Sequence, residues 1–408
     1  MSGMFNTLDL FAGCGGLTEG FLQSGHYRTL AAVEWEREPC DTLRHRLRTA
    51  WGMEDAQERV IRFDIQRSDE LVAGFADPEY GTHCGLEKLI GTTPVDVIIG
   101  GPPCQAYSLA GRIRDENGMR DDYRNYLFEC YVEIVSHFRP KAFVFENVVG
   151  LLSAAPDGGK ITDRISTAFR NAGYAVTPDF KDALFDVADF GIPQHRRRVI
   201  IVGVSEAEYG SASGRMLHDF YAAILPSMKR PQSSVSAAIG DLPPLYPLES
   251  PRRDGGKNIS HVQNGGPSVP NHIPRFHSLR DIGVFRLLAD DIKSGRMEYV
   301  GIDRLKRLYT EVTGKESNIH KYYVLREDEP SNTIPAHLYK DGMRHIHPDP
   351  AQARSITPRE AARLQTFPDD FEFLGAGMHQ FKMIGNAVPV EFARIVGEAL
   401  FKLMSKDF

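Results

Sequence analysis

The chain has 408 residues, 42% of them hydrophobic, with a formal net charge of -6 at pH 7 and no apolar run of the ~18 residues that a membrane-spanning helix requires. That length suits two or three domains of about 150 residues; the first nine residues lack the basic flank and apolar stretch of a secretion signal, so a cytoplasmic protein is expected. The five cysteines, Cys14, Cys40, Cys84, Cys104 and Cys130, are odd in number and form no CxxC pair, which argues against a disulfide framework and a zinc module, and no metal is expected.

Thr7 to Phe11 reads as a buried strand that runs into Asp9-Leu10-Phe11-Ala12-Gly13-Cys14-Gly15-Gly16-Leu17, a glycine-rich turn. A helix follows from about Leu17 to Ser24, with Gly25 as its cap. Such a turn lets backbone approach a ligand closely, and the carboxyl end of a first strand is where open α/β sheets bind cofactors. Thr18 stands where a dinucleotide fingerprint needs glycine or alanine, which weakens a nicotinamide or flavin reading. Thr29 to Val33 is the next strand, ending at Glu34 with Trp35 beside it, and Asp64-Ile65 follows a third. A carboxylate so placed can accept both hydroxyls of a ribose, and an aromatic with an apolar side chain can sandwich an adenine. A solvated strand end accounts for Glu34 equally well.

The strand Val95 to Ile99 leads directly into Gly100-Gly101-Pro102-Pro103-Cys104-Gln105-Ala106-Tyr107-Ser108. Two prolines stiffen this backbone and two glycines permit close approach, so Cys104 reads as a presented nucleophile and not as a small apolar filler. At an ordinary pKa of about 8.5 only a few per cent is thiolate near pH 7, so a positive group or helix N-terminus is expected nearby. Leu109 to Arg124, rich in Gly, Arg and Asp, reads as a loop able to close over a substrate. The strand Ala142 to Phe145 delivers Glu146, Asn147 and Val148 to the same edge of the sheet. Ile161 to Asn171 is helical and Gly173 ends it. Gln194-His195-Arg196-Arg197-Arg198 enters the strand Val199 to Val202, and alternation puts Arg196 and Arg198 on one face and Arg197 on the other, or leaves all three on an exposed basic edge.

Beyond Gly203 the texture shifts to Pro, Ser, Gly and Arg, with Pro243-Pro244, Gly255-Gly256 and Gly265-Gly266, which marks a loop-rich second domain. Residues 206–354 hold 20 Lys plus Arg against 18 Asp plus Glu, or +2, whereas the rest holds 28 against 36, or -8. This segment also carries eight of the 14 histidines and the basic pairs Arg252-Arg253 and Lys306-Arg307. A nucleic-acid-facing surface and a plain solvated one both remain open. Helical patches lie near Ile282 to Leu288 and Ile302 to Tyr309. Thr357-Pro358-Arg359-Glu360 is a helix start, and Val390 to Met404 is a closing amphipathic helix preceded by Gly385-Asn386-Ala387-Val388-Pro389. The expected division is therefore 1–205, 206–354 and a segment 355–408 that returns to the first domain.

Taken in this order, Asp-Leu-Phe-x-Gly-x-Gly-Gly, Pro-Pro-Cys-Gln, Glu-Asn-Val, Gln-x-Arg-x-Arg and Gly-Asn-x-Val-Pro resemble the DNA cytosine-5 methyltransferase family in its prokaryotic form, over nearly the whole chain except about Ser205 to Pro330. The stretches Pro330 to Ile334 and Arg359 to Pro368 match as well. The resemblance implies an α/β fold, the mostly parallel, Rossmann-like sheet of S-adenosylmethionine-dependent methyltransferases with a smaller target-recognition domain. It implies a methyl-donor pocket of Phe11, Gly13, Gly15, Gly16, Leu17, Glu34, Trp35, Asp64, Ile65 and Pro103, closed by Asn386 and Val388, that releases S-adenosylhomocysteine. It further implies that Cys104 attacks carbon 6 of a flipped-out cytosine while Glu146 binds the ring, with Arg198 and Arg196 orienting both. Asn147 would shape the loop that carries Cys104, and Gln105, Ser108 and Arg124 would meet the substrate DNA.

Double-stranded DNA is then the expected partner of a monomer that works alone or with a restriction endonuclease cognate to the same site. A branch of the family that methylates transfer RNA carries a Cys-Phe-Thr tripeptide, which this chain lacks. Catalytically silent, DNA-binding relatives lose the cysteine or the glutamate, and this chain has both.

Overall fold

The computed structural model describes residues 3–103, 127–155, 158–318 and 321–405. Cys104, Gln105, Ser108 and Arg124, with the loop expected over Leu109 to Arg124, lie outside the described residues. The chain divides into two compact units, one of Met1–Phe190, Arg197–Pro231 and Ala387–Phe408, the other of Gly191–Arg196 and Gln232–Asn386. These limits differ from those the sequence texture suggested: residues 206–231 stay with the first unit, and residues 355–386 belong to the second.

The first unit is built on a sheet of β1 (Phe5–Leu10), β2 (Tyr27–Glu34), β3 (Val60–Arg62), β6 (Val97–Gly100), β7 (Ala142–Val148), β8 (Tyr174–Val176), β9 (Leu184–Asp186) and β10 (Arg197–Ser205), with β4 (Phe75–Asp77) and β5 (Gly81–His83) forming a separate hairpin. The strand order is β3-β2-β1-β6-β7-β10-β8, with β9 also on β10. β1, β2, β3, β6 and β7 pair in parallel and only β10 runs against its neighbours. Parallel strands covered on both faces need apolar residues at successive positions, which is why β6 and most of β1 and β2 are buried without alternation. The winding reverses direction between β1 and β6, so their carboxyl ends flank the crevice where such sheets bind ligands.

The helix Gly16–Gln23 packs on the closing helix Val390–Met404, so closely that a Cβ on Gly20 would stand 2.4 Å from that of Ala393. The Tyr27 hydroxyl adds a hydrogen bond of 2.8 Å to the Gly397 carbonyl. Arg37–Trp51 is a polar-rich helix whose Arg46 pairs with the buried Glu19 at 2.7 Å, while Trp51 Nε1 donates to the same carboxylate. Ile161–Asn171 and Val390–Met404 are helical over the residues their patterns predicted.

In the second unit the helices Leu279–Lys293 and Ile302–Thr313 bury Phe285, Leu288, Leu305 and Leu308 with Tyr322, Val324 and Ile346. Thr357 and Glu360 form a reciprocal capping box at the start of Pro358–Leu364. Glu360 is also gripped by Arg354 through two hydrogen bonds of 2.7 and 2.6 Å, both residues fully buried. Five histidines of this region are not surface cations. His261, His272, His277, His345 and His347 are all buried, and burial pushes His261 and His347 down to about 4 and His277 and His345 to about 3, so they are neutral near pH 7. Among the described residues no helix is long and apolar enough to cross a membrane.

Candidate active site

β1 ends in a backbone that only special conformations allow: Phe11 has φ +58°, Gly13 +56° and Gly15 +94°. A non-glycine residue held in that region costs about 1–3 kcal/mol and persists where the surroundings require it. The requirement is visible at Glu34, at the end of neighbouring β2. Its Oε2 accepts from the Gly13 amide at 2.8 Å, and its Oε1 accepts from the amides of Trp35 at 2.8 Å and Glu36 at 2.7 Å. Burial pushes the Glu34 carboxyl up, against the pull of these amides. Oε2 keeps one lone pair for a further donor.

The space beside this turn is open, since nothing lies within 4 Å of a Cβ built on Gly13, and half of the Trp35 surface is exposed. Asp64 accepts from the Gln66 amide at the end of β3, with Ile65 buried next to it. Gly16 and Leu17 are buried as the helix begins, and Gly16 is pressed against Val388, whose carbonyl would lie 2.5 Å from an added Cβ. Phe11, Gly13, Glu34, Trp35, Asp64, Ile65 and Val388 are thus brought to one edge of the sheet. Open space at Gly13, a carboxylate with one acceptor position to spare and an exposed aromatic face fit a ligand with a hydroxyl and a flat ring system, although Glu34, already taking three amides, has room for one ribose hydroxyl and not for the two expected. Asn386, exposed at the end of the helix Gly377–Asn386, belongs to the second unit.

The second half of the site forms where β6 leaves the sheet beside β7. Gly100 pairs in register with Phe145, and a Cβ on Gly101 would stand 2.8 Å from Glu146 Oε2. Asn147 Nδ2 donates to the Pro102 carbonyl at 3.3 Å, and its Oδ1 accepts from the Val148 amide, so a buried side chain fixes the proline turn. Pro103, exposed, is the last described residue before Cys104. On the other side of Glu146, Arg198 Nε lies 2.7 Å from Oε1, because β10 pairs antiparallel with β7 and brings its first residues to the glutamate end of that strand. Both side chains are about one-eighth exposed.

Arg196 departs from the alternation argument. β10 begins at Arg197, so the extended pairing that enforces alternation does not reach back to Arg196. Its buried guanidinium instead donates to the carbonyls of Ile334 and Gly385 at 2.9 and 3.1 Å, within the second unit.

Two contributors are given no role from the sequence, Tyr131 because no motif marks it and Asp9 because its motif is read only for its glycines. The hydroxyl of buried Tyr131 lies 3.0 Å from the Ile98 carbonyl and 3.1 Å from that of Val144, tying β6 to β7 just behind Glu146. Buried Asp9 accepts from the Thr18 hydroxyl at 2.5 Å, holding the helix against the turn, and burial pushes its carboxyl up to about 7. The other cysteines make poor nucleophiles where burial acts on them: it pushes the thiols of Cys14 and Cys40 far up and that of Cys130 to about 11. Among the described residues no group of three or more His, Cys, Asp or Glu could hold a metal ion.

The family model described as "C-5 cytosine-specific DNA methylase" matches residues 5–76 and 82–402. The Type II methyltransferase M.Bpa9945I of Bacillus paralicheniformis is 31% identical, over 96% of this chain and 98% of its own. The Type II methyltransferase M.AgeI of Thalassovita gelatinovora is 30% identical, over 97% and 98%. A prophage-encoded protein of E. coli has a similar solved fold, with a TM-score of 0.63 at 23% identity over 98% of this chain and all of that one.

Proposed function

Because the chain belongs to the C-5 cytosine-specific DNA methylase family, we propose that it transfers a methyl group from S-adenosylmethionine to carbon 5 of a cytosine within a short sequence of double-stranded DNA. The observation that carries this reading is the crowding of Glu146 between Arg198 and Gly101, three residues before Cys104. When bound, the donor would supply an electrophilic methyl on a sulfonium, whose sulfur–methyl bond breaks as carbon 5 takes the methyl and which leaves as the thioether S-adenosylhomocysteine. Glu34 would hold its ribose, Trp35 and Ile65 its adenine, and the turn of Phe11 to Leu17 with Val388 its amino-acid portion, with Asp64 and Pro103 beside them.

Cys104, as thiolate, forms a bond from sulfur to carbon 6 of the cytosine. The negative charge this sends into the ring is met by Glu146, which hydrogen-bonds the ring nitrogen and exocyclic amine and shares a proton with the nitrogen. Arg198 fixes the orientation of Glu146 and the charge balance around it. The ring electrons then make carbon 5 nucleophilic toward the methyl group. Loss of the carbon 5 proton to a base expels the Cys104 thiolate and restores the aromatic ring. Both faces of the base must be reached, so it must leave the duplex at a cost of a few kcal/mol. Asn147 keeps the proline turn in place, and Gln105, Ser108 and Arg124 are proposed to meet the displaced nucleotide. Arg196 is a structural residue of the second unit in this reading.

A cytoplasmic monomer, paired with a restriction endonuclease of the same specificity or acting alone, is the form in which it is proposed to work. The test is to methylate random duplex DNA and total RNA with purified protein and to locate 5-methylcytosine by deamination sequencing. One short DNA motif is expected; methylation of RNA alone would reject the proposal.

A further inference from the structure

The second unit carries a two-stranded ribbon, β11 (Leu245–Asp254) and β12 (Lys257–Gln263), whose two ends differ in character. Its base is fixed. Leu245 N donates to Gln352 Oε1, His261 Nε2 bonds the Gln352 carbonyl at 3.0 Å, and Ser260 Oγ accepts from the His277 amide. Four residues of β11, Leu248 to Pro251, then stand against Ser260 alone, an irregularity that bends a strand and re-aims what lies beyond it.

Beyond the bulge the pairing resumes as Arg252 with Ile259, Arg253 with Asn258 and Asp254 with Lys257. Gly255 and Gly256, both at positive φ (+52° and +81°), close a two-residue turn. Arg252, Arg253, Lys257 and Asn258 are all exposed, and no hydrogen bond or ion pair to a described residue engages their side chains. Elsewhere in the unit several arginines are held by internal partners, Arg280 by Asp281, Arg296 by Asp290, Arg304 by Glu311 and Arg354 by Glu360, while Arg286, Arg307 and Arg344 are single exposed cations and not a cluster at a turn. A rigidly based ribbon that ends in four unpartnered, solvent-facing donor groups has no packing role to explain them.

We propose that this tip is the element that reads the DNA target, an inference that rests on duplex DNA being the substrate. The major groove admits a two-stranded ribbon. Strand alternation puts Arg253 and Asn258 opposite each other on one face, and these planar groups pair bidentately with guanine and adenine edges respectively. Arg252 and Lys257 project from the other face and contact phosphates, which positions the ribbon without reading sequence.

The experiment compares the unsubstituted protein with Arg253→Ala, Asn258→Ala and Arg252→Ala, each verified by an unchanged melting temperature. Each is used to map 5-methylcytosine on random duplex DNA, and the affinity of each for the mapped motif and for a scrambled duplex is measured between 50 and 200 mM salt. Arg253→Ala and Asn258→Ala are expected to relax the motif at one position each and to cut discrimination between the duplexes by about ten-fold. Arg252→Ala should weaken both duplexes alike and reduce the salt slope by about one. An unchanged motif and unchanged discrimination in Arg253→Ala and Asn258→Ala would overturn the inference while leaving DNA methylation intact. Absence of DNA methylation by the unsubstituted protein would remove both.

Discussion

The guanidinium of Arg198 stands 2.7 Å from the carboxylate of Glu146, Nε against Oε1, on neighbouring antiparallel strands and largely out of water. Such a pair holds a carboxylate in one orientation, and removing either partner leaves the other charge poorly compensated. Glu146→Gln, which keeps size and loses charge, should lower kcat by about 10²- to 10⁴-fold while the affinity for the methyl donor stays within two-fold. Arg198→Lys should recover only part of what Arg198→Ala loses, because a point charge cannot reproduce the planar fork. Single-turnover rates beside donor titrations check both; a loss confined to donor binding would contradict the assignment.

Gly101 is needed for contact and not for conformation: it has no positive φ, yet its Cβ would lie 2.8 Å from Glu146 Oε2. Gly101→Ala should therefore displace the carboxylate and cut kcat by about ten-fold or more at an almost unchanged melting temperature. Gly100→Ala should behave differently, since its Cβ would meet the Leu10 carbonyl at 2.4 Å, backbone that cannot move aside. There the expected result is loss of folded protein, read by yield and thermal melting.

Arg196 should report on stability. Replacing it with leucine leaves the carbonyls of Ile334 and Gly385 without those donors, at about 1–3 kcal/mol for each buried group left unpaired. A lower melting temperature with near-normal kcat for the folded fraction is expected; a catalytic defect in fully stable protein would restore Arg196 to the chemistry.

The second unit should weaken in mild acid. His261, His277, His345 and His347 have folded pKa values of about 3 to 4, below the ordinary 6.5, so the unfolded chain takes up protons that the native one refuses. Their contribution to stability is present above pH 6.5 and is lost as the pH falls toward 4, about 2 kcal/mol for each imidazole at pH 5. Glu360, held down to about 2 with Arg354 beside it, extends the loss below pH 4.5. Melting temperatures from pH 7.5 to 4.5 test this, and a flat profile would contradict it.

Much of the site was legible in the sequence because its parts sit at strand ends, where short apolar runs stop abruptly at Glu34, Gly100 and Glu146. The reversal of strand order that brings β1 beside β6 is not local information, and the order of motifs along the chain stood in for it through the family resemblance. Arg196 misled because a period-two argument holds only inside a paired strand. The histidine count of 206–354 leaves two surface readings open, and five of the eight are instead buried, because polar residues enter a core when hydrogen bonds satisfy them, as His272 does with the Thr357 hydroxyl and the Pro243 carbonyl. Tyr131 carries no motif beyond its place in an apolar run, and Asp9, though it opens the first motif, is given its role only by the buried bond from Thr18. The tip at Arg252 and Arg253 showed as a basic pair, but only the hairpin register separates its two faces.

The most direct test of the covalent mechanism is to incubate the protein and methyl donor with duplex DNA carrying 5-fluorocytosine at its target, then resolve the mixture under denaturing conditions. Fluorine at carbon 5 cannot leave as a proton, so the account predicts a stable adduct whose mass is protein plus methylated DNA, with the crosslink at Cys104 and none formed by Cys104→Ser. A crosslink at another residue, or complete turnover without any adduct, would contradict it.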